Sequence, residues 1–141
     1  MKRFVLDASV ALAWFLDEPV PAYATAVRQL LRENAHAIVP TLWHLEMANA
    51  LVVAERRKLL KPDDLSLVLA RLEQLTIQLV ETRNDFWSMR QAFKTAREFQ
   101  LSAYDGVYLE TARTESLPLA TLDKSLRSAA ARAGVEVLRL S

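Results

Sequence analysis

The sequence predicts an α/β domain built on a mainly parallel sheet with helices on both faces. Two observations predict it. Short apolar runs rich in β-branched residues alternate with longer segments of helical spacing, the sequence form of a parallel sheet joined by crossover helices. The second is that 141 residues, 52% of them hydrophobic and 25% charged, match one ordinary globular domain with a sizeable core. Two glycines and five scattered prolines form no linker, and no repeat or low-complexity tract interrupts the pattern, so residues 1–141 read as a single domain.

In chain order, Arg3 to Leu6 is the first apolar strand run. Helical spacing follows over Val10 to Leu16 and Ala22 to Glu33, then a second strand run over Ala37 to Val39. Leu42 to Leu59 and Pro62 to Leu75 read as helices, the latter opened by Lys61-Pro62 or Asp63, since proline suits a first helical turn. Thr76 to Val80 is a third strand run, followed by helical Asn84 to Gln100 and Ala103 to Glu115. Leu117 to Ala120 is a fourth strand run, Lys124 to Ala133 a last helix ended by Gly134, and Val135 to Leu138 a fifth strand run.

Composition excludes several chemistries. The 18 Lys and Arg against 17 Asp and Glu leave a net charge of +1, so bulk charge demands neither nucleic acid nor an anionic membrane. With no cysteine and only His36 and His44, a disulfide scaffold, a zinc-thiolate site, a thiol nucleophile and a histidine-rich metal centre are excluded. Lys2-Arg3 before the apolar run Phe4 to Leu16 has the outline of a secretory signal, but Asp7 interrupts the run and no small-residue cleavage site follows it before Asp17-Glu18. The expectation is a cytoplasmic protein with no membrane partner.

In parallel α/β sheets ligands bind beyond the carboxyl ends of the strands, so residues just after each run carry most weight. Asp7 stands directly after the first strand, where it also suits a helix N-cap. Glu46 shares one helical stripe with Leu42, Leu45, Asn49, Val52 and Val53. A carboxylate on an apolar face needs a cation, a metal or a proton, unless it reaches solvent at the border beside His44. Asp105 shares a face with Leu101, Tyr108, Leu109 and Ala112, and Ser102-x-x-Asp105 also has the form of a capping box. Asp123 follows the fourth strand and is a good N-cap for the last helix. Each acid has its own local explanation, but no single local role covers all four. Parallel topology gathers them at one rim, where four like charges repel unless divalent cations bind. An oxygen-only set suits Mg²⁺ or Mn²⁺. Ser9, Asn49 and Thr121 are placed to orient those ligands.

These residues fall in four segments: Phe-Val-Leu-Asp7-Ala-Ser9-Val-Ala-Leu-Ala-Trp14-Phe-Leu, Pro40-Thr-Leu-Trp-His-Leu-Glu46-Met-Ala-Asn49-Ala-Leu, Leu101-Ser-Ala-Tyr-Asp105-Gly-Val-Tyr108-Leu and Leu119-Ala-Thr121-Leu-Asp123-Lys124-Ser-Leu. In that order and spacing, the chain resembles the PIN-domain nucleases over nearly its whole length, and among them the VapC-like toxins of bacterial toxin–antitoxin pairs. The resemblance implies a three-layer α/β/α fold and a Mg²⁺- or Mn²⁺-dependent endoribonuclease that cleaves RNA phosphodiester bonds with metal-activated water. It implies Asp7, Glu46, Asp105 and Asp123 as the catalytic, metal-ligating set, with Glu46 ligating the metal or orienting or deprotonating the water. It also implies dimerisation and inhibition by a small cognate antitoxin. Where some relatives carry a further acid shortly after the last Asp, this chain has Lys124 and Ser125.

Two basic stripes, Arg90, Lys94 and Arg97 at helical spacing and Arg56, Arg57, Lys58 and Lys61, suit either an RNA backbone or a solvated helix face. Among the aromatics, Phe15 and Phe86 are expected in the core and Trp14 at a partner contact. The segment Val10 to Leu31, with Trp14, Phe15, Leu30 and Leu31, is expected to offer an apolar groove to a partner helix. A receiver-like phospho-acceptor domain fits poorly, because Asp7 has no acidic neighbour and the third strand run ends in Glu81. A catalytically silent PIN-like interaction module is the other alternative, and the intact acidic quartet argues against it.

Overall fold

The computed structural model describes residues 2–140. Within them the chain runs β1 (Arg3–Leu6), α1 (Ala8–Leu16), α2 (Ala22–Arg32), β2 (His36–Pro40), α3 (Leu42–Arg56), α4 (Pro62–Glu73), β3 (Ile77–Val80), α5 (Phe86–Phe99), α6 (Ala103–Glu115), β4 (Leu119–Ala120) and α7 (Lys124–Arg132). The alternation is the predicted one. The four strands are parallel throughout, in the order β3-β2-β1-β4. From β1 the chain steps outward to β2 and β3, then crosses back to place β4 on the far side of β1. Right-handed crossovers therefore put the helices before and after that reversal on opposite faces, giving three layers. α6 lies against β1, β2 and β4 and carries α5 on its back, whereas α1 packs against α2 and α3.

The core is centred on β1 and β2, where Phe4, Val5, Leu6, Ala37, Ile38 and Val39 are all fully buried. Central parallel strands are covered on both faces, which is why these runs are continuously apolar instead of alternating. At the edge strand β3, Gln78 and Leu79 are exposed. Local chemistry sets the helix starts. Asp85 Oδ1 accepts from Ser88 N at 2.9 Å, and Pro62 occupies the first turn of α4 while Asp64 Oδ2 accepts from Lys61 N at 3.2 Å.

Two expectations are corrected. Val135 to Leu138 does not form a strand and makes only a bridge between Leu119 and Val137. β4 is two residues long. Pro118 O and Ala120 O accept from Val5 N and Asp7 N, which leaves Leu119 alone facing the C-terminal segment, its N–H donating to Glu136 O and its O accepting from Leu138 N, both at 2.8 Å. One outward-facing residue sustains a bridge but no ladder. In α3 the buried stripe is Trp43, Met47, Leu51 and Ala54, not the one containing Leu45 and Val52, which are 74% and 43% exposed. The indole of Trp43 removes the most apolar area from water, and its claim on the interior turns the neighbouring stripe outward. Among the described residues no helix is long and apolar enough to cross a membrane.

Candidate functional site

The strand order reverses at β1, and the crevice beyond the carboxyl ends at such a reversal is where open α/β sheets hold ligands. Asp7 leaves β1 at this point and Thr121 leaves β4. Asp7 N donates to Ala120 O at 3.0 Å, which pins the two strand ends together. Although Asp7 is the N-cap residue of α1, its side chain makes no capping bond. Its Oδ2 instead accepts from Thr121 Oγ1 at 2.6 Å and from Ser9 Oγ at 2.7 Å. These hydroxyls are themselves fixed, since Thr121 Oγ1 accepts from Asp123 N at 3.0 Å and Ser9 Oγ from Leu122 N at 3.1 Å. Local capping thus does not account for Asp7, and Ser9 and Thr121 orient it. Asp7 is buried, and burial raises its carboxyl pKa against the hydrogen bonds from Thr121 and Ser9, with the Asp123 charge pushing it further up.

The other three acids arrive on separate helices. Asp123 caps α7, its Oδ1 accepting from Leu126 N at 2.8 Å, so its expected capping role holds and engages only one carboxylate oxygen. Asp105 sits in the first turn of α6, its N–H donating to Ser102 Oγ at 3.1 Å. Glu46, one turn into α3, accepts at Oε1 from the Tyr108 hydroxyl at 2.6 Å. Burial raises the Glu46 pKa, with the Asp7 charge adding to it and the Tyr108 bond opposing. For Asp105, burial together with the charges of Asp7, Asp123 and Glu46 lifts the pKa to about 6. The charges of Asp7, Asp123 and Glu46 therefore all bear on Asp105, beside the larger effect of its burial. Asn49 is exposed, and among the described residues no hydrogen bond joins it to the acids. Nor do any three His, Asp or Glu residues there stand close enough to enclose an ion as they are placed. The donor chemistry nonetheless fits a divalent cation: oxygen only, and charges that repel one another until one is neutralised.

The sequence profile of the PIN domain matches residues 4–132. The chain belongs to the PIN domain family. That span holds all four acids with Ser9 and Thr121. Among solved structures, this PIN domain is similar to PAE2754 from Pyrobaculum aerophilum, with a TM-score of 0.66 and 21% identity over 91% of this chain and 79% of that one. VapBC2 from Rickettsia felis, bound to a DNA fragment from its promoter, gives a TM-score of 0.66 and 10% identity over 99% of both chains. FitAcB from Neisseria gonorrhoeae gives 0.63 and 21% identity over 96% of both. At these identities the likeness is one of fold. No curated protein matches the sequence.

The PIN domain uses its aromatics differently from the sequence expectation. Trp14 is buried and donates its indole N–H to Ala24 O at 2.7 Å, tying α1 to α2, so it is not a partner contact. Leu31 is buried with it, and Phe15 and Leu30 pack against the core. The expected groove over Val10 to Leu31 is consequently filled. Phe86, expected inside, is 76% exposed and stands with Trp87, Met89 and Phe93 on α5. Leu42, Leu45, Val80, Trp87, Met89 and Val107 line a groove of about 770 Å³ there. Sequence reasoning also missed Tyr108. Its place three residues after Asp105 was visible, but its bond to an acid 62 residues away was not.

Proposed function

We propose that this PIN domain is a Mg²⁺- or Mn²⁺-dependent endoribonuclease, the toxin of a toxin–antitoxin pair, acting in the cytoplasm as a homodimer. The observation that carries the catalytic reading is that the charges of Asp7, Glu46 and Asp123, brought by three other segments, all bear on Asp105 beside its burial. Like charges held together on four different segments oppose folding unless they serve a cation. PIN domains are generally nucleases, and the likeness to VapBC2 supports the toxin reading at the level of fold.

The division of labour follows from which oxygens are already engaged. Ser9 and Thr121 occupy Asp7 Oδ2, Leu126 N occupies Asp123 Oδ1 and Tyr108 occupies Glu46 Oε1. Asp7, Asp105 and Asp123 would hold the ion through their remaining oxygens. Bound Mg²⁺ or Mn²⁺ supplies a water of lowered pKa and neutralises charge on the phosphate. Glu46 presents Oε2 to the attacking water as proton acceptor. The new bond would join water oxygen to phosphorus as the bond from phosphorus to the 3′-oxygen breaks and that oxygen takes a proton from solvent, so the products would carry a 5′-phosphate and a 3′-hydroxyl. Arg90, Lys94 and Arg97 on α5 are exposed and able to follow an RNA backbone. The apolar groove lined by Leu45, Trp87 and Met89, all exposed, supports the homodimer, since isolated monomers seldom expose large apolar side chains together.

The test is cleavage of single-stranded RNA by the purified chain. Activity requires Mg²⁺ or Mn²⁺, stops with EDTA, leaves ends captured by 5′-phosphate-dependent ligation and disappears in Asp7→Asn and Glu46→Gln. Expression alone arrests growth, and a small protein encoded beside it restores growth. Cyclic phosphate ends or undiminished cleavage in EDTA overturn the mechanism. A metal-binding chain that cuts no RNA favours the silent interaction module.

A further inference from the structure

Tyr108 is fully buried, and its ring alone could be supplied by phenylalanine. A buried hydroxyl without a partner is costly, so the oxygen must have a task. It donates to Glu46 Oε1 at 2.6 Å. Asp105 lies three residues before Tyr108 on α6, so both side chains leave one side of the helix, a turn apart. One phenol thereby ties α6 to α3, the helices that bring Asp105 and Glu46.

We infer that Tyr108 is a positioning residue for the PIN-domain acidic site: its hydroxyl engages Glu46 Oε1 and thereby fixes which oxygen of Glu46 faces Asp7 and Asp105. A glutamate has three rotatable bonds, and one turn into α3 nothing else among the described hydrogen bonds restrains this one. With Oε1 held by the phenol, Oε2 is the oxygen left without a hydrogen bond among the described residues. α6 so delivers one acid directly and aims a second on another helix.

The inference rests on the proposed catalytic role of the acids, and the experiment separates the two. In chelated, metal-free protein, urea unfolding of the parent, Tyr108→Phe, Glu46→Ala and the double variant forms a thermodynamic cycle. The two effects on stability, of whichever sign, are expected to be non-additive by at least about fivefold in the folding equilibrium constant, in the range of directly contacting pairs. A cycle that closes additively overturns the tie. Steady-state cleavage by Tyr108→Phe, expressed per folded molecule, is expected to show kcat lowered about 10- to 100-fold, the usual cost of losing a ligand-orienting partner, with KM within about twofold. If the cycle is coupled but kcat equals that of the parent, Tyr108 is a packing residue only and the positioning role is wrong. If the parent itself cleaves no RNA with metal, the nuclease reading fails and takes the functional half of the inference with it, while the cycle still decides the hydrogen-bonded tie.

Discussion

Asp105→Asn in metal-free protein should make the fold more stable, although it removes a residue from the site. The folded carboxyl has a pKa of about 6 against an ordinary 3.8. The folded state therefore binds this proton more tightly than the unfolded chain. Its contribution is fully present below about pH 4 and is lost as pH rises through 6. The displacement corresponds to about 3 kcal/mol of destabilisation at pH 7.5, at about 1.4 kcal/mol per pKa unit. Asp105 is partly open to water, and screening reduces the expected gain in Asp105→Asn to about 1–2 kcal/mol. For a chain of this size that is a rise in Tm of roughly 3–6 °C. Substitution leaves the backbone N–H that bonds Ser102 intact, so the cap does not confound the result. The assay is urea and thermal unfolding in EDTA at pH 7.5 and at pH 4, where the gain should shrink to a small fraction. Saturating Mn²⁺ should reverse the order, because only the parent keeps all its ligands and binding to the folded state alone stabilises it. Unchanged or lower stability of the variant at pH 7.5, or a gain equal at both pH values, would refute the shared-cleft reasoning.

Thr121→Val keeps the shape of a buried side chain but removes the hydroxyl that donates to Asp7 and accepts from Asp123 N. A loss of about 1–3 kcal/mol in urea unfolding is expected, against under about 0.5 kcal/mol for exposed Lys124→Ala. Trp14→Phe should cost about 1–2 kcal/mol through the lost bond to Ala24 O, with oligomeric state unchanged by light scattering. Trp87→Lys combined with Met89→Lys should convert a dimer to a monomer of unaltered circular dichroism. A parent that is already monomeric at micromolar concentration removes the case for this face.

The acids illustrate how much of the site was legible in one dimension. Asp7, Glu46, Asp105 and Asp123 could be singled out because each stands at or near the carboxyl end of a strand or the start of a helix, and parallel topology sends all such positions to one edge. Ser9 was readable for the same reason, two residues from Asp7. Thr121 was readable from its place after the fourth strand run, but that its hydroxyl meets the same Asp7 oxygen as Ser9 depends on β4 lying beside β1. Asn49 stands outward for a rotational reason: the wide apolar pattern of α3 allows two stripes, and Trp43 lies on the one that is buried.

By itself the sequence determined the α/β class, the succession of strands and helices, the helix starts at Pro62, Ser102 and Asp123, and the candidate acids, because these follow from periodicity, capping and the chemistry of single side chains. Only the tertiary structure decided the order β3-β2-β1-β4, the reduction of the fifth strand run to a bridge, the burial of Trp14, the exposure of Phe86 and the bond from Tyr108 to Glu46. Those outcomes turn on competition for a finite interior: which indole fills it, which strand edge still has a free residue, which oxygen a buried hydroxyl can reach. Such competition couples residues far apart in the chain, and no local pattern records who wins it.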